Sequence, residues 1–405
     1  MNNKINETEV YFMEVAGRMK IDYKSVAQWT RGIRRDFHRY PELGTMEYRT
    51  AEKIESYLKE MGIEYKRVAD TGVEGIIRGK RSGRSIGIRG DIDALPICEV
   101  EGREYGSQNE GVMHACGHDA HAAILLGTAR VLNDMKDEFD GSIRLLFQPA
   151  EETVGGAQRM VSEGSMEGVD YVIGLHVTPY TETGRVELKY GKMNASSDTL
   201  KISVEGVSSH GAYPHMGYDA IVIAAQVVSA LQTVVSRNIS PHENAALSFG
   251  KVKGGTQGNI LADRVDLVGT LRTISEKVRG EAKERIVSIV EGVSASLGGR
   301  GVVEIEPGYM SLINTDSVVD IIKESAMEIV GEKNIAFREL PSLGVEDFSF
   351  FIDAAKEGGG YFYLGCGSKD KGIVAPAHNR EFDIDEDCLE IGIKLQVSNA
   401  LKLLK

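Results

Sequence analysis

Nine consecutive residues, Met113-His114-Ala115-Cys116-Gly117-His118-Asp119-Ala120-His121, hold three of the nine histidines and one of the four cysteines of the chain. A thiolate and an imidazole that converge are ligands of the type transition metals favour. At a spacing of two, Cys116 and His118 cannot share a helix face. In a tight turn through Gly117 they can meet. After His121, Ile124, Leu125, Ala129 and Leu132 recur near the 3.6 period, so this turn is predicted to feed a helix N-terminus. A buried thiol beside surface histidines is the competing reading of these nine residues taken alone. Other polar groups strengthen the metal reading. Asp91 follows an apolar run over 85–89, Glu151 and Glu152 follow one over 142–147, and His176 follows one over 169–175. Adjacent carboxylates repel unless a cation is near. All of these residues fall at the carboxyl ends of expected strands, where open α/β sheets place function.

The elements that must position these groups read as an α/β chain. A helix from Lys24 puts Val26, Trp29, Ile33 and Phe37 on one face, and Pro41 ends it. A second helix is expected over 47–61, strands over 72–78 and 85–89, and a short helix over 155–163. Near residue 194 the pattern changes. Strand over 200–207, helix over 218–237, strands over 245–252 and 264–273, helix over 275–297 and strand over 302–309 give β-α-β-β-α-β, a ferredoxin-like unit. The expected organisation is therefore a discontinuous catalytic domain, 1–194 and 311–405, with an inserted domain over 195–310. A helix from about Asp385 closes the chain, and residues 1 to about 22 read as an extension without visible chemistry.

Composition bounds the function. At 405 residues, 42% apolar and 26% charged, the chain can bury a large core. Its net charge of −13 argues against nucleic acid and anionic membrane as partners. The cysteines have no framework spacing and no leader-like apolar run opens the chain, which points to a reducing, cytoplasmic setting. No stretch approaches the ~18 apolar residues of a membrane span. His38, His121, His215 and His242 read as structural or exposed, and His114 as a neighbour of the metal cluster. Cys98, Cys366 and Cys388 read as small buried hydrophobes.

Several motifs, in order, resemble one family. They are Arg35-Asp36-Phe37-His38-Arg39-Tyr40-Pro41-Glu42, Arg89-Gly90-Asp91-Ile92-Asp93-Ala94-Leu95-Pro96, Met113 to His121, Gln148 to Glu152 and Gly174-Leu175-His176. Ser209-His210-Gly211-Ala212-Tyr213-Pro214-His215, Gly255-Thr256-Gln257-Gly258-Asn259, Gly344-Val345-Glu346-Asp347-Phe348 and the loop at His378 complete the set. The chain resembles the dinuclear metal hydrolases that include hippurate hydrolases, auxin–amino acid conjugate hydrolases and bacterial N-acyl-amino-acid amidohydrolases. These are relatives of zinc carboxypeptidases and succinyl-diaminopimelate desuccinylase. The resemblance implies a zinc-peptidase-like catalytic domain with a mixed sheet flanked by helices, plus an inserted dimerisation or lid domain. It implies two divalent ions per chain (Zn, Mn, Co or Ni) held by Cys116, His118, Glu152, His176 and His378. Cys116 takes a bridging position that an aspartate holds in other relatives. Glu151 maps to the general base and Asp91 to a carboxylate that orients a histidine ligand. His210 maps to a histidine that reaches the partner's site in family dimers, and Asn259 and Arg272 to positions that hold the substrate carboxylate. Ser208-Ser209 stands where relatives often carry glycines.

The expected activity is hydrolysis of N-acyl-L-amino acids by activated water. Acetyl, benzoyl, long-chain acyl and indole-acetyl groups are all compatible with the sequence. The alternatives are a dipeptidase or related peptidase, and a non-catalytic metal protein that binds amino-acid conjugates. The intact Glu151 argues against the last, because binding alone needs no base.

Overall fold

The computed structural model describes residues 21–405, so nearly all of the N-terminal extension lies outside the described residues. The chain divides into two compact units. One holds the residues up to Gly191 together with Asn314–Glu339 and Phe350–Lys405; the other holds Lys192–Ile313 and Leu340–Ser349.

In the first unit the order is α1 (Tyr23–Arg39), α2 (Tyr48–Glu60), β1 (Glu64–Val68), β2 (Gly72–Arg78), β3 (Ser85–Asp91), α3 (His118–Asp134), β4 (Ser142–Gln148), α4 (Gly156–Ser162), β5 (Tyr171–Glu182) and β6 (Val186–Leu188). The chain leaves through β7 (Gly191–Asn194). It builds β8 (Ser196–Glu205), α5 (Ala220–Thr233), β9 (Ala245–Gly254), β10 (Arg264–Thr273), α6 (Glu276–Ser296) and β11 (Arg300–Pro307), and returns through β12 (Leu312–Asn314). Then come α7 (Asp316–Ile329), β13 (Ile335–Phe337), β14 (Gly359–Gly367) and α8 (Cys388–Leu403).

Local chemistry sets these elements. Asp22 caps α1 by accepting from the Ser25 amide at 3.1 Å. Val26, Ile33 and Phe37 of α1 are buried, and Trp29 packs edge-on against Tyr57. α3 is buried around most of its circumference, from His118 to Leu132, with the polar His118, Asp119 and His121 among the buried residues.

The first unit's mixed sheet runs β1-β2-β4-β3-β5-β14-β6-β13. β3 is parallel to β4 and β5, with Asp91 level with Gln148 and Arg89 level with Gly174. Their carboxyl ends therefore open at one end of the sheet. β5 differs from its expectation, because it does not stop at Leu175. β14 runs beside it in parallel, pairing Tyr363 with His176 and Leu364 with Val177, and this carries β5 on to Glu182. On the other side, the β3 ladder ends at Gly174, so His176 borders the gap where β3 has stopped.

The second unit has the sheet order β11-β8-β10-β9, with every pair antiparallel. Leu200, Ile202 and Val204 of β8 and Leu267 of β10 pack with Ile223, Val227 and Leu231 of α5 and Ile286 and Val290 of α6. This is the ferredoxin-like arrangement expected of the β-α-β-β-α-β order. The membrane expectation needs one correction. By length and composition alone, the helical run Ala220–Asn238 is apolar enough to cross a bilayer. One of its faces fills the core of the second unit.

Candidate metal centre

The Cys116 turn is shaped by its glycine. Gly117 precedes α3 at φ +95°, and a Cβ there would lie 2.4 Å from Val177 Cγ2. Only glycine meets both the left-handed backbone and the close approach to β5. The result sets His118 in the first turn of α3 and Cys116 just before it. The loop after β14 is tied to the same place, because the His378 amide donates to the Ala115 carbonyl at 2.8 Å. His378 itself has φ +61°, and Ala150, next to Glu151, has φ +55°. Left-handed non-glycine residues of this kind cost energy and concentrate at functional sites.

The ligand atoms of Cys116, His118 and His176 lie within 4.8 Å of one another, and so do those of Cys116, Glu152 and His378. Cys116 is common to both groups. Its Sγ is 3.4 Å from His176 Nε2, and Glu152 Oε1 is 3.0 Å from His378 Nε2. His118, Glu151 and Glu152 form a third such group.

Hydrogen bonds fix which ring nitrogens point inward. His176 Nδ1 donates to the Val177 carbonyl at 2.6 Å, leaving the Nε2 lone pair toward Cys116. His118 Nδ1 is 3.0 Å from Asp93 Oδ1, and its buried Nε2 makes no hydrogen bond. A histidine with one nitrogen held by a carboxylate or carbonyl and the other aimed at its neighbours is oriented for a metal.

Asp93, which sequence reasoning passed over, is therefore the carboxylate on His118. Its other oxygen accepts from the Glu152 amide at 2.9 Å. The expectation that Asp91 orients a histidine ligand changes in this respect. Asp91 Oδ1 pairs with His121 Nδ1 at 2.5 Å, Oδ2 pairs with Arg89 at 2.7 Å, and His118 Nε2 is 3.5 Å away. His121 is buried, not exposed. Its Nε2 accepts from the Val177 amide at 2.9 Å, so the proton sits on Nδ1 and faces Asp91.

Charge in the site favours a cation. Burial disfavours the His118 imidazolium, but Asp91, Cys116 and Asp93 reverse this and lift its pKa well above the usual range. Surroundings that attract a proton to that imidazole also attract a metal ion. Burial would raise the Glu152 carboxyl, yet the hydrogen bond with His378 and the charge of His118 hold it ionised and below the usual range. Burial lowers His176 to about 4, so its imidazole is neutral near pH 7. Burial also pushes the Cys116 thiol far up, and only a nearby cation would offset that.

The other histidines fall outside this cluster. His38 is buried between Asp119 (2.7 Å) and Glu99 (3.0 Å). His114 is buried with neither ring nitrogen hydrogen-bonded, and burial lowers it to about 3. His215 and His242 are exposed; Cys366 and Cys388 are buried, whereas Cys98 is exposed.

Within the second unit, His210 and Asn259 come together. The Gly211 amide donates to the Asn259 carbonyl at 2.8 Å, and His210 bridges Ile260. His210 is exposed, and its Nδ1 accepts from the Ala212 amide at 3.0 Å. Arg272 does not join them. On β10 it pairs with Ser197 and Ala246, whereas the His210 and Asn259 loops extend past the Arg264 end of that strand. Arg272 lies eight residue steps along the strand from Arg264, about 26 Å. Arg272 is half-buried, its Nη1 makes no hydrogen bond, and burial lowers its pKa against a raising effect from Asp198.

Known proteins share this architecture. Thermostable carboxypeptidase 1 of Saccharolobus solfataricus is 37% identical over 395 residues, covering 96% of this chain and 99% of that protein. N-acetyl-L-cysteine deacetylase of Bacillus subtilis is 40% identical over 360 residues, covering 88% and 84%. A solved structure from Bacillus subtilis, described as a dinuclear metal binding peptidase from the M20 family, superposes with a TM-score of 0.81 at 30% identity and covers 94% of this chain and 99% of that one. The sequence model of Peptidase family M20/M25/M40 matches residues 87–402, a span that takes in Asp91, Cys116, Glu152, His176 and His378. With most of the chain covered by that match, the protein belongs to Peptidase family M20/M25/M40.

Proposed function

We propose that this chain is a metal-dependent amidohydrolase that cleaves the amide bond of N-acyl-L-amino acids. The observation that carries the proposal is the pair of three-residue groups sharing Cys116. Cys116, His118 and His176 would hold one divalent ion, and Cys116, Glu152 and His378 a second. The donors fit divalent ions such as Zn, Mn, Co or Ni. The buried, unbonded His118 Nε2 is an atom that such an ion would satisfy.

When bound, two cations lower the pKa of a shared water and polarise the amide carbonyl. The chain supplies the proton transfers. Glu151, 8% exposed beside Glu152, accepts the water's proton on its carboxylate and delivers it to the departing amine nitrogen. An amine leaves poorly until protonated, so one carboxylate serves both steps. Asp93 keeps His118 and the Glu152 backbone in register, and Asp91 with His121 does the same for the Val177 backbone beneath His176. Arg272 offers a planar fork that suits the free carboxylate of an amino acid.

The position of His210 favours a homodimer. In one copy of the second unit His210 lies past the Arg264 end of β10, while Arg272 lies eight residue steps along that strand, about 26 Å from Arg264, so one copy does not bring both to one small substrate. Two copies can supply one each. The β9 edge of that sheet has no strand partner among the described residues, and Ile221 and Val222 on α5 and Val252 on β9 are exposed apolar groups that a second copy would cover.

The test is a panel of N-acyl amino acids and dipeptides, assayed after chelation and after adding back each metal. Hydrolysis of N-acyl amino acids that a chelator abolishes and a divalent ion restores is expected. Faster turnover of dipeptides across the panel would favour the peptidase reading, which the carboxypeptidase relative supports. No turnover with any metal would refute both.

A further inference from the structure

The turn that carries Glu151 and Glu152 is held from behind by a residue outside the metal cluster. Glu47 stands at the N-cap position of α2, but its side chain makes no capping hydrogen bond. Glu42 does that work, accepting from the Arg49 amide at 3.0 Å and the Thr50 amide at 2.8 Å. Glu47 instead turns inward and is fully buried. Its Oε1 accepts from the Ala150 amide at 2.8 Å and its Oε2 from the Thr71 hydroxyl at 2.6 Å.

Ala150 needs such a hold. Its φ of +55° is a conformation that a Cβ-bearing residue does not adopt for nothing. Its carbonyl accepts from the Gly155 amide at 3.0 Å, which closes the turn on the other side. Gly44, three residues before Glu47, packs so close that a Cβ there would lie 2.5 Å from Thr153 Oγ1 and 3.2 Å from Ala150 Cα. Thr45, Ala69, Asp70 and Ala150, four of the five left-handed non-glycine residues among those described, line one cavity of about 350 Å³ beside this turn. The backbone leading into Glu151 is thus strained and nearly surrounded, and Glu47 is the buried acceptor that meets its amide.

We propose that Glu47 is a positioning residue for the Glu151–Glu152 pair, acting through the Ala150 amide. The proposal rests on the assignment of Glu151 and Glu152 to the chemistry above. Asp93 holds the Glu152 amide from the front and Glu47 holds the Ala150 amide from behind, so two buried carboxylates span the three residues of the turn. What matters in this role is the reach of the acceptor, not its charge.

That distinction sets the test. Glu47→Gln keeps the reach and loses the charge. Glu47→Asp keeps the charge and shortens the reach by about 1.5 Å, one carbon–carbon bond. Glu47→Ala removes the acceptor. Thr71→Val removes the other partner of Glu47 and serves as a stability control. The readouts are kcat and KM on a substrate of the wild-type protein, retention of the two ions during titration with a chelator, and the thermal midpoint. Expected are near-normal kcat for Glu47→Gln, and a loss of about 10- to 100-fold for Glu47→Asp and Glu47→Ala with KM little changed. The latter two should also release one ion about tenfold more readily. Thr71→Val should lower the midpoint and leave kcat and ion retention alone.

Wild-type kcat and ion retention in folded Glu47→Asp, or a better enzyme from Asp than from Gln, overturns the proposal. If Glu47→Ala fails to fold, the Asp and Gln pair still decides. If the wild-type protein hydrolyses no N-acyl amino acid, the assigned activity fails on its own, and ion retention in the Asp and Gln variants still decides the role of Glu47.

Discussion

Cys116 is the one donor common to both ligand groups, so its loss should affect both ions at once. Elemental analysis of Cys116→Ala, reconstituted with metal and desalted, should find far less than the two ions expected of the wild-type protein. Cys116→Asp should keep both, because a carboxylate also offers lone pairs to two cations. Two ions retained by Cys116→Ala would remove it from the site. Glu151→Gln tests a different role. It keeps the shape and removes the proton acceptor, so metal content should persist while kcat falls at least ~100-fold. Near-normal turnover would end the general-base assignment. The resemblance of the ordered motifs to a known hydrolase family already implies Cys116, His118, Glu152, His176 and His378 as one ligand set. Asp93 and His121 escape that reading although a physical signal exists. Residues 91 and 93 of an extended chain point the same way, and residues 118 and 121 share a helix face. Those two spacings match Asp91 to His121 and Asp93 to His118, the pairs the fold makes.

Helix α3 carries His118, one of the proposed ligands, on its first turn, and what holds α3 in place also holds that side chain. Gly117→Ala would force a Cβ against Val177 in a left-handed backbone. A loss of about 1–3 kcal/mol in chemical denaturation is expected, together with weakened metal retention. Unchanged stability would mean that β5 yields easily at Val177. Behind the site, Arg34 of α1 meets Asp119 of α3 at 2.8 Å, with both side chains fully buried. Burial alone would raise the Asp119 carboxyl, but Arg34 and His38 hold it far below the usual range. A depressed native pKa means that the unfolded chain binds the extra proton first. The stability from this group is therefore present above about pH 4 and drains away as pH falls toward the native value. Asp119→Asn should lower stability at pH 7, since Arg34 would be left facing no charge on that helix, and should make acid unfolding less steep below pH ~4. An unchanged acid profile would show that other carboxylates dominate it. α1 and α3 are legible in the sequence from their apolar periods. The extension of β5 past Leu175 is not, because the partner that sustains it, β14, lies nearly 190 residues away.

At the scale of the whole chain, the inserted unit is legible because its β-α-β-β-α-β order is continuous in sequence. Leu340–Ser349 is not, since it joins that unit from a distant segment of chain. His210 and Asn259 sit at one end of its sheet and Arg272 sits near the other. If each active site takes Arg272 from its own chain and His210 from a second copy, an isolated protomer lacks one group. Glu151→Gln and His210→Ala proteins, each inactive alone, should then regain activity on mixing and subunit exchange. Random exchange makes about half of the dimers mixed. In each mixed dimer, the His210→Ala chain contributes an intact Glu151, and its partner contributes an intact His210 to that same site. The second site has neither, so total activity should approach about a quarter of wild type. Recovery to that level requires crossing between chains, because neither chain can assemble a complete site from its own residues. No recovery after verified exchange would place His210 in its own chain's chemistry or outside chemistry altogether. Full activity in a protein that light scattering shows to be monomeric would lead to the same conclusion.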